Sequence, residues 1–239
     1  MAMLSTAALF LLDVFFPQHC LGCGEEGVLA CASCAGKVLL LPFCCFVCGG
    51  LSPSRGRAGP GAPCRSCRPK TSVDRFFAAG SYRDDLLRSL IHRLKYGRST
   101  ALAGFLADFL YSSLVRHDVS VPPGVLVIPM PLHSRRERLR GFNQSYLIAR
   151  HLVLRLGGVE IADTVLKRVK PTRPQTALSA SLRKINMKGV FAVSEKNSIK
   201  GKTVLLIDDV KTTGATIEEA ARVLKREGAK RVWAAVVAR

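Results

Sequence analysis

Past position 72 the apolar residues alternate between two rhythms. Residues 73–82 have strand character, and residues 84–95 then carry Leu86, Leu87, Leu90, Ile91 and Leu94 on the 3.6-residue stripe of an amphipathic helix. Residues 101–115 and 143–156 repeat the helical pattern. Between them, residues 125–128 form a short apolar run closed by Pro129 and Pro131. Residues 166–169 read as a strand, 203–207 as a buried strand, 215–227 as a helix and 231–238 as a closing strand that contains Trp233. Strands alternating with helices predict an α/β fold, a mostly parallel sheet with helices on both faces. In such sheets ligands bind at the carboxyl ends of the strands. The first 72 residues lack this alternation, so two domains are expected, 1–72 and 73–239. That division suits a 239-residue chain, long enough for one ordinary core and a small appendage.

Residues 1–16 are apolar but contain Asp13, lack a basic leader and have no small-residue cleavage site after them. The run is also shorter than the roughly 18 to 20 residues that span a bilayer. It reads as an amphipathic helix of a cytoplasmic protein with no membrane span.

What organises the first domain is cysteine. All nine lie between residues 20 and 67, and eight form CxxC pairs: Cys20 with Cys23, Cys31 with Cys34, Cys45 with Cys48, Cys64 with Cys67. A CxxC turn aims two thiolates at one metal about 2.3 Å away, so these pairs suit two tetrahedral sites holding two structural Zn²⁺ ions. Gly24, Gly49 and Gly50 follow their pairs, where a knuckle needs a permissive backbone. Disulfides are the competing reading, but a reducing compartment keeps thiols free. Sequential assignment puts Cys20, Cys23, Cys31 and Cys34 on one ion and Cys45, Cys48, Cys64 and Cys67 on the other; an interleaved arrangement has the same spacing. Cys44 is left over, a substitute ligand or, preferably, a free thiol. Residues 52–63, rich in Gly, Pro and Arg, read as a flexible excursion within the second site. A redox role for the pairs finds no thioredoxin-like frame around them.

Charge adds a ligand class. The chain is 48% hydrophobic and 22% charged, a globular composition, and carries a formal net charge of +19. Residues 1–72 hold 6 basic and 3 acidic groups, and two zinc ions with eight thiolates would bring them close to neutral. Residues 129–203 hold 16 basic and 4 acidic groups. A field of that sign gathers polyanions, whether phosphorylated metabolites or nucleic acid. The plainer alternative is a solvated basic surface.

The chemical signal is strongest at residues 204–216, VLLIDDVKTTGAT. An apolar strand delivers Asp208 and Asp209, followed by a loop of Thr212, Thr213, Gly214, Ala215 and Thr216 that opens a helix. Hydroxyls, backbone N–H groups and the helix dipole there can hold one phosphate. The carboxylates suit the hydroxyls of a sugar whose 5′-phosphate lies in the loop. The competing reading is an ordinary strand end and helix cap. There is no GxGxxG and no GxxxxGK[ST].

This segment resembles the phosphoribosyl pyrophosphate (PRPP) motif of type I phosphoribosyltransferases. Lys211 stands where that motif often has a hydrophobic or aromatic residue. A second stretch resembles the ComF family of competence-associated, phosphoribosyltransferase-like proteins. It comprises Ile128-Pro129-Met130-Pro131-Leu132-His133, then Arg135, Arg136, Arg138 and Arg140-Gly141-Phe142-Asn143-Gln144. Arg173-Pro174-Gln175-Thr176 with Leu178, Arg183, Asn186 and Phe191 agrees, and the cysteine region matches that family's double zinc ribbon. The resemblance covers nearly the whole chain. It implies PRPP bound with Mg²⁺ by Asp208, Asp209 and residues 212–216. It also implies a pyrophosphate loop at Pro131, Leu132 and Arg140, and a closing loop over residues 170–189 with Gln175 and Arg183. Arg140 and Arg183 offer planar forks suited to phosphate oxygens. His133 reads equally as a polar surface residue, Lys95 and Tyr96 carry no chemistry legible in the sequence, and no residue stands out as a general base.

Three functions compete. The first is a phosphoribosyltransferase acting on an unidentified nitrogen acceptor. The second is a single-stranded-DNA-binding accessory of DNA uptake with a regulatory PRPP site, against which the scarcity of aromatic residues, 7% of the chain, weighs as a stacking platform. The third is an adaptor whose zinc ribbons dock a competence helicase-like partner.

Overall fold

The computed structural model describes residues 18–52, 59–97, 99–170, 187–194 and 196–239. The expected helix over residues 1–16, the middle of the 52–63 excursion, and Gln175, Arg183 and Asn186 of the expected closing loop lie outside them.

In chain order the elements are helix α1 (Ala32–Lys37), strand β1 (Arg75–Gly80), helices α2 (Asp85–Tyr96) and α3 (Leu102–Arg116), β2 (Leu126–Pro129), α4 (Ser134–Arg140), α5 (Gln144–Leu156), β3 (Glu160–Ile161), β4 (Leu166–Arg168), β5 (Phe191–Val193), α6 (Lys196–Ile199), β6 (Thr203–Val210), α7 (Ala215–Arg226) and β7 (Arg231–Ala238). The sheet has five strands in the order β1-β7-β6-β2-β3, all parallel. Strands β4 and β5 form a separate antiparallel pair.

Alternation within the strands builds two cores. Phe77, Leu205, Ile207, Trp233 and Ala235 face the apolar stripes of α2, α3 and α5. Phe76, Val204, Leu206, Val232 and Ala234 face α7 and the β4–β5 pair. Asp84 begins α2 by accepting the Leu87 amide at 2.8 Å, and Asn143 begins α5 by accepting those of Ser145 and Tyr146. Each side-chain cap satisfies a donor that the first turn leaves unpaired.

The cysteine region covers the exposed edge of β1. Leu41 donates its amide to the Ala79 carbonyl at 2.8 Å, and Phe76 donates to Gly61 at 2.8 Å. An open strand edge is a template for unwanted pairing, and these bonds close it. Phe43 then enters one core and Phe46 the other, so the region straddles the sheet.

Three departures from the sequence pattern matter for the site. Strand β6 runs on to Val210, so Asp208 and Asp209 are the last part of the strand rather than the start of a loop. Helix α4, SRRERLR, has no apolar stripe and no buried residue, which is why periodicity missed it. Strand β3 is two residues long, too short for any period.

Candidate functional site

The cleft forms where neighbouring strands end at different heights. Pro129, the last residue of β2, pairs with Ile207, while β6 continues beside β7 as far as Val210 opposite Ala238. Asp208 and Asp209 therefore face a gap. Asp209 continues the parity of Leu205 and Ile207 and meets helix α2, whose last turn supplies Lys95 at 2.8 Å. The two side chains are 6% and 19% exposed, so little water screens the pair.

Asp208 accepts the Ser145 hydroxyl at 2.9 Å and the Asp209 amide at 2.9 Å. Burial, and next the Asp209 charge, push its carboxyl up to about 7; Lys95 and the two hydrogen bonds offset only part of that. Burial also opposes the charge on Lys95, but the Asp209 carboxylate overrides it and Lys95 is raised. Two carboxylates thus share one ammonium, which leaves the floor able to take another cation or hydroxyl donors.

The loop after β6 turns at Gly214, with φ of +79° as it caps α7. Only glycine enters that region without strain. A Cβ there would also lie 2.8 Å from the Phe46 ring and 3.0 Å from Lys211 Cε. Thr213 accepts the Ala215 amide at 3.4 Å, which folds the loop over the helix start. Lys211 places its ammonium over the rings of Phe46 at 5.0 Å and Phe76 at 5.5 Å. Burial pulls its pKa down. Its charge is absorbed into ring packing with the cysteine region, which is what the departure from a hydrophobic residue does here.

On the opposite side, Met130 leaves β2 by donating its amide to Ile207 at 2.8 Å, and its carbonyl takes the Asn143 side chain at 3.1 Å. His133 caps α4 by accepting the Arg135 amide at 3.3 Å, a structural task. Arg140 donates to Gln144 and lies over the Tyr96 ring at 5.3 Å.

These parts enclose a cleft of about 840 Å³. Asp208, Asp209, Thr212, Thr216, Pro131, Leu132 and Arg140 all line it. Thr213, Gly214 and Ala215 form the turn behind it, while Gln175 and Arg183 lie outside the described residues. Arg136, from the same stretch as Arg140, lines the cleft too, and the wall members that the sequence did not assign to the site are Tyr82, His92, Lys95, Tyr96 and Arg168, with Ser145 beneath Asp208. A lysine ending an amphipathic helix reads as solvated, so nothing local could have flagged Lys95.

The cysteines gather sequentially. Cys20, Cys23, Cys31 and Cys34 form one group and Cys45, Cys48, Cys64 and Cys67 the other, each with its sulfurs within 4.8 Å of one another. The Cys23 to Cys31 sulfur separation is 3.7 Å and the Cys48 to Cys64 separation 3.8 Å. A tetrahedron with metal–sulfur bonds of about 2.3 Å has edges of about 3.8 Å, so both groups fit a four-thiolate metal ion. The Cys31 and Gly22 amides each donate to Cys20 at 3.4 Å. Donation from Cys31, Cys23 and Gly22 pulls that thiol down to about 6. Cys67 goes up to about 12, first through its contact with Cys64 and then through burial. Four such sulfurs cannot all ionise without a cation between them. Cys44 is buried outside both groups and pairs with Leu51 across a bridge.

Comparison with known proteins agrees with this arrangement. The phosphoribosyl transferase domain family matches residues 142–239. Competence protein F of Haemophilus influenzae is 30% identical over 231 residues, 92% of this chain and 96% of that protein. The chain belongs to the ComF family. A DNA utilization protein YhgH of Salmonella typhi is 34% identical to this ComF protein over 207 residues, 85% of this chain and 88% of the relative. Competence protein ComFC of Bacillus subtilis is 30% identical over 153 residues, 61% of this chain and 56% of that protein. The domain match in this ComF chain begins at Phe142. It includes Ser145, both aspartates and the Gly214 turn, and leaves Lys95 and both cysteine groups outside it. Among the described residues, no helix is long and apolar enough to cross a membrane.

Proposed function

We propose that this ComF protein binds PRPP with Mg²⁺ in the cleft beyond β2 and β6, and transfers its phosphoribosyl group to a nitrogen acceptor in the cytoplasm. The observation that carries the reading is two carboxylates and a glycine-turned threonine loop at a helix start in one cleft, with Arg140 facing them. The 5′-phosphate takes the Thr212 to Thr216 loop and the dipole of α7. The ribose hydroxyls donate to Asp208 and Asp209. Pyrophosphate lies against Pro131, Leu132 and the Arg140 fork, with Gln175 and Arg183 closing over it.

Oxygen donors suit Mg²⁺, and Asp208 with Asp209 would hold it through its waters, where it would neutralise pyrophosphate charge. At C1 the C–O bond to pyrophosphate breaks as the acceptor nitrogen's electron pair forms the new C–N bond. The chain's own part is to fix the sugar and stabilise the departing charge. Calorimetric titration with PRPP and Mg²⁺ tests binding. Asp209→Asn should abolish it, and failure of the wild-type protein to bind PRPP removes the reading. Each cysteine group is read as a structural zinc ribbon, so metal analysis should give about two zinc ions per chain.

A second reading, single-stranded DNA binding, is favoured by helix α4, which sets Arg135, Arg136 and Arg138 in exposed positions beside an exposed Leu139 on the rim of the cleft. It predicts affinity that falls steeply with salt, with a shallower slope after Arg135→Ala and Arg136→Ala. Docking of a helicase-like partner by the ribbons is tested by pull-down with residues 1–72.

A further inference from the structure

The two halves of the second cysteine group reach the same target. Phe46 follows Cys45 directly, is 5% exposed, and sits against the Gly214 turn so closely that even a methyl group there would collide with its ring. It also carries the Lys211 ammonium on its face and stacks edge-on against Phe76 at 5.3 Å. From the other half, Thr71 and Ser72 follow Cys67 through a short 3₁₀ turn, Arg68–Lys70. The Thr71 hydroxyl and the Ser72 amide grip the two oxygens of Glu218 at 2.5 and 2.8 Å. Glu218 lies in the first turn of α7, directly after the loop.

We propose that the second four-cysteine group is a strut for the phosphate loop, with Phe46 as its positioning residue and the Glu218 clamp as its second foot. Metal-held thiolates fix the backbone on either side of Phe46, and the ring holds the Gly214 turn in the shape that presents the loop to its ligand. Preorganisation of this kind lowers the cost of ordering a binding loop. The inference rests on the PRPP reading for its ligand but not for its geometry.

The test uses the full-length zinc-loaded protein. Phe46→Ala should keep two zinc ions, weaken PRPP binding about tenfold by calorimetry, and speed hydrogen exchange at the Lys211 and Glu218 amides, which are bonded to Ala238 and Gly214. Exchange in residues 203–207 should be unchanged. Phe46→Leu, which keeps an apolar plug, should recover most of the affinity and protection. If Phe46→Ala fails to fold, Glu218→Gln replaces it and should show the same exchange at those two amides with a several-fold weaker Kd. Unchanged exchange in the folded variant overturns the strut whether or not PRPP binds. Absence of PRPP binding by the wild type instead refutes the functional reading.

Discussion

The two cysteine groups use the same knuckles but rest on different parts of the molecule. The first keeps its pairs close together and buries Cys20, Cys31 and Cys34 in a small cluster against Leu86 in the first turn of α2, while its neighbours Leu29 and Val38 join the core that α2, α3 and α5 cover. The second separates its pairs by a longer excursion, and its neighbours Cys44 and Phe46 belong to the core beneath α7. Helix α2 carries Lys95 in its last turn, and α7 begins at the Gly214 loop. Each group therefore stands behind one wall of the cleft, but the first lies a helix length from its functional end and the second lies against it. Similar coordination chemistry gives mechanically unequal supports.

The largest contrast should come from removing ligands. Cys64→Ser with Cys67→Ser should release one zinc ion, cost at least about 4 kcal/mol, and abolish measurable PRPP binding, because a structural metal contributes folding energy directly. Cys20→Ser with Cys23→Ser should release the other zinc ion while leaving PRPP affinity within about threefold. Equal losses of affinity would break the comparison. Chemical denaturation, metal analysis and calorimetry on both variants decide it.

Next come the two walls themselves. Lys95→Met removes the cation from a pair of poorly hydrated carboxylates, and stranding one partner of such a pair costs roughly 3 kcal/mol. The loss should be full at pH 8 and shrink toward pH 5, because Asp208, raised to about 7, is protonated there and leaves one carboxylate fewer for Lys95 to balance; a pH-independent loss would point to packing instead. Gly214→Ala should cost about 2 kcal/mol from its +79° φ and its clash with Phe46. Combining Gly214→Ala with Phe46→Leu should relieve part of that cost, whereas combining it with Lys95→Met should be additive within about 0.5 kcal/mol. Non-additivity in the second pair would mean the walls are one unit.

The sequence exposed what is local and hid what depends on strand ends. The CxxC pairs, the stripes of α2 and α5 and the VLLIDDVKTTGAT run are contiguous patterns, so the elements and the loop could be read in advance. Their consequences could not. Lys95 reaches Asp209 because β2 stops at Pro129 while β6 continues, a fact of register with no periodic trace. Arg140 could be named from its fork but not its partners, Gln144 and the face of Tyr96, which the turn at Gly141 brings together. In the sequence Phe46 is one apolar residue among cysteines. Its role follows from the way the cysteine region wraps the β1 edge and crosses to the other face of the sheet, a contact between segments far apart in sequence.

The smallest effect lies between the walls and tests whether the carboxylates, rather than either zinc group, set the charge of the cleft. Asp208 has a folded-state pKa of about 7 against an ordinary value of 3.8. The folded protein therefore holds more protons than the unfolded chain between those values, so stability falls as pH rises from about 4 to 7 and the loss is complete above 7. Asp208→Asn cannot ionise and escapes that loss. It gives up charge-assisted acceptance from Ser145 and the Asp209 amide in exchange, so the net gain at pH 8 should be only about 1 kcal/mol. Melting curves at pH 5 and pH 8 should show the variant gaining on the wild type across that interval. The gain should persist in the Cys20→Ser, Cys23→Ser background, because Ser145, Lys95 and both aspartates lie outside the first cysteine group. A gain that vanished there would show that the first group reaches the cleft floor through α2, and the two supports would then differ in distance but not in authority.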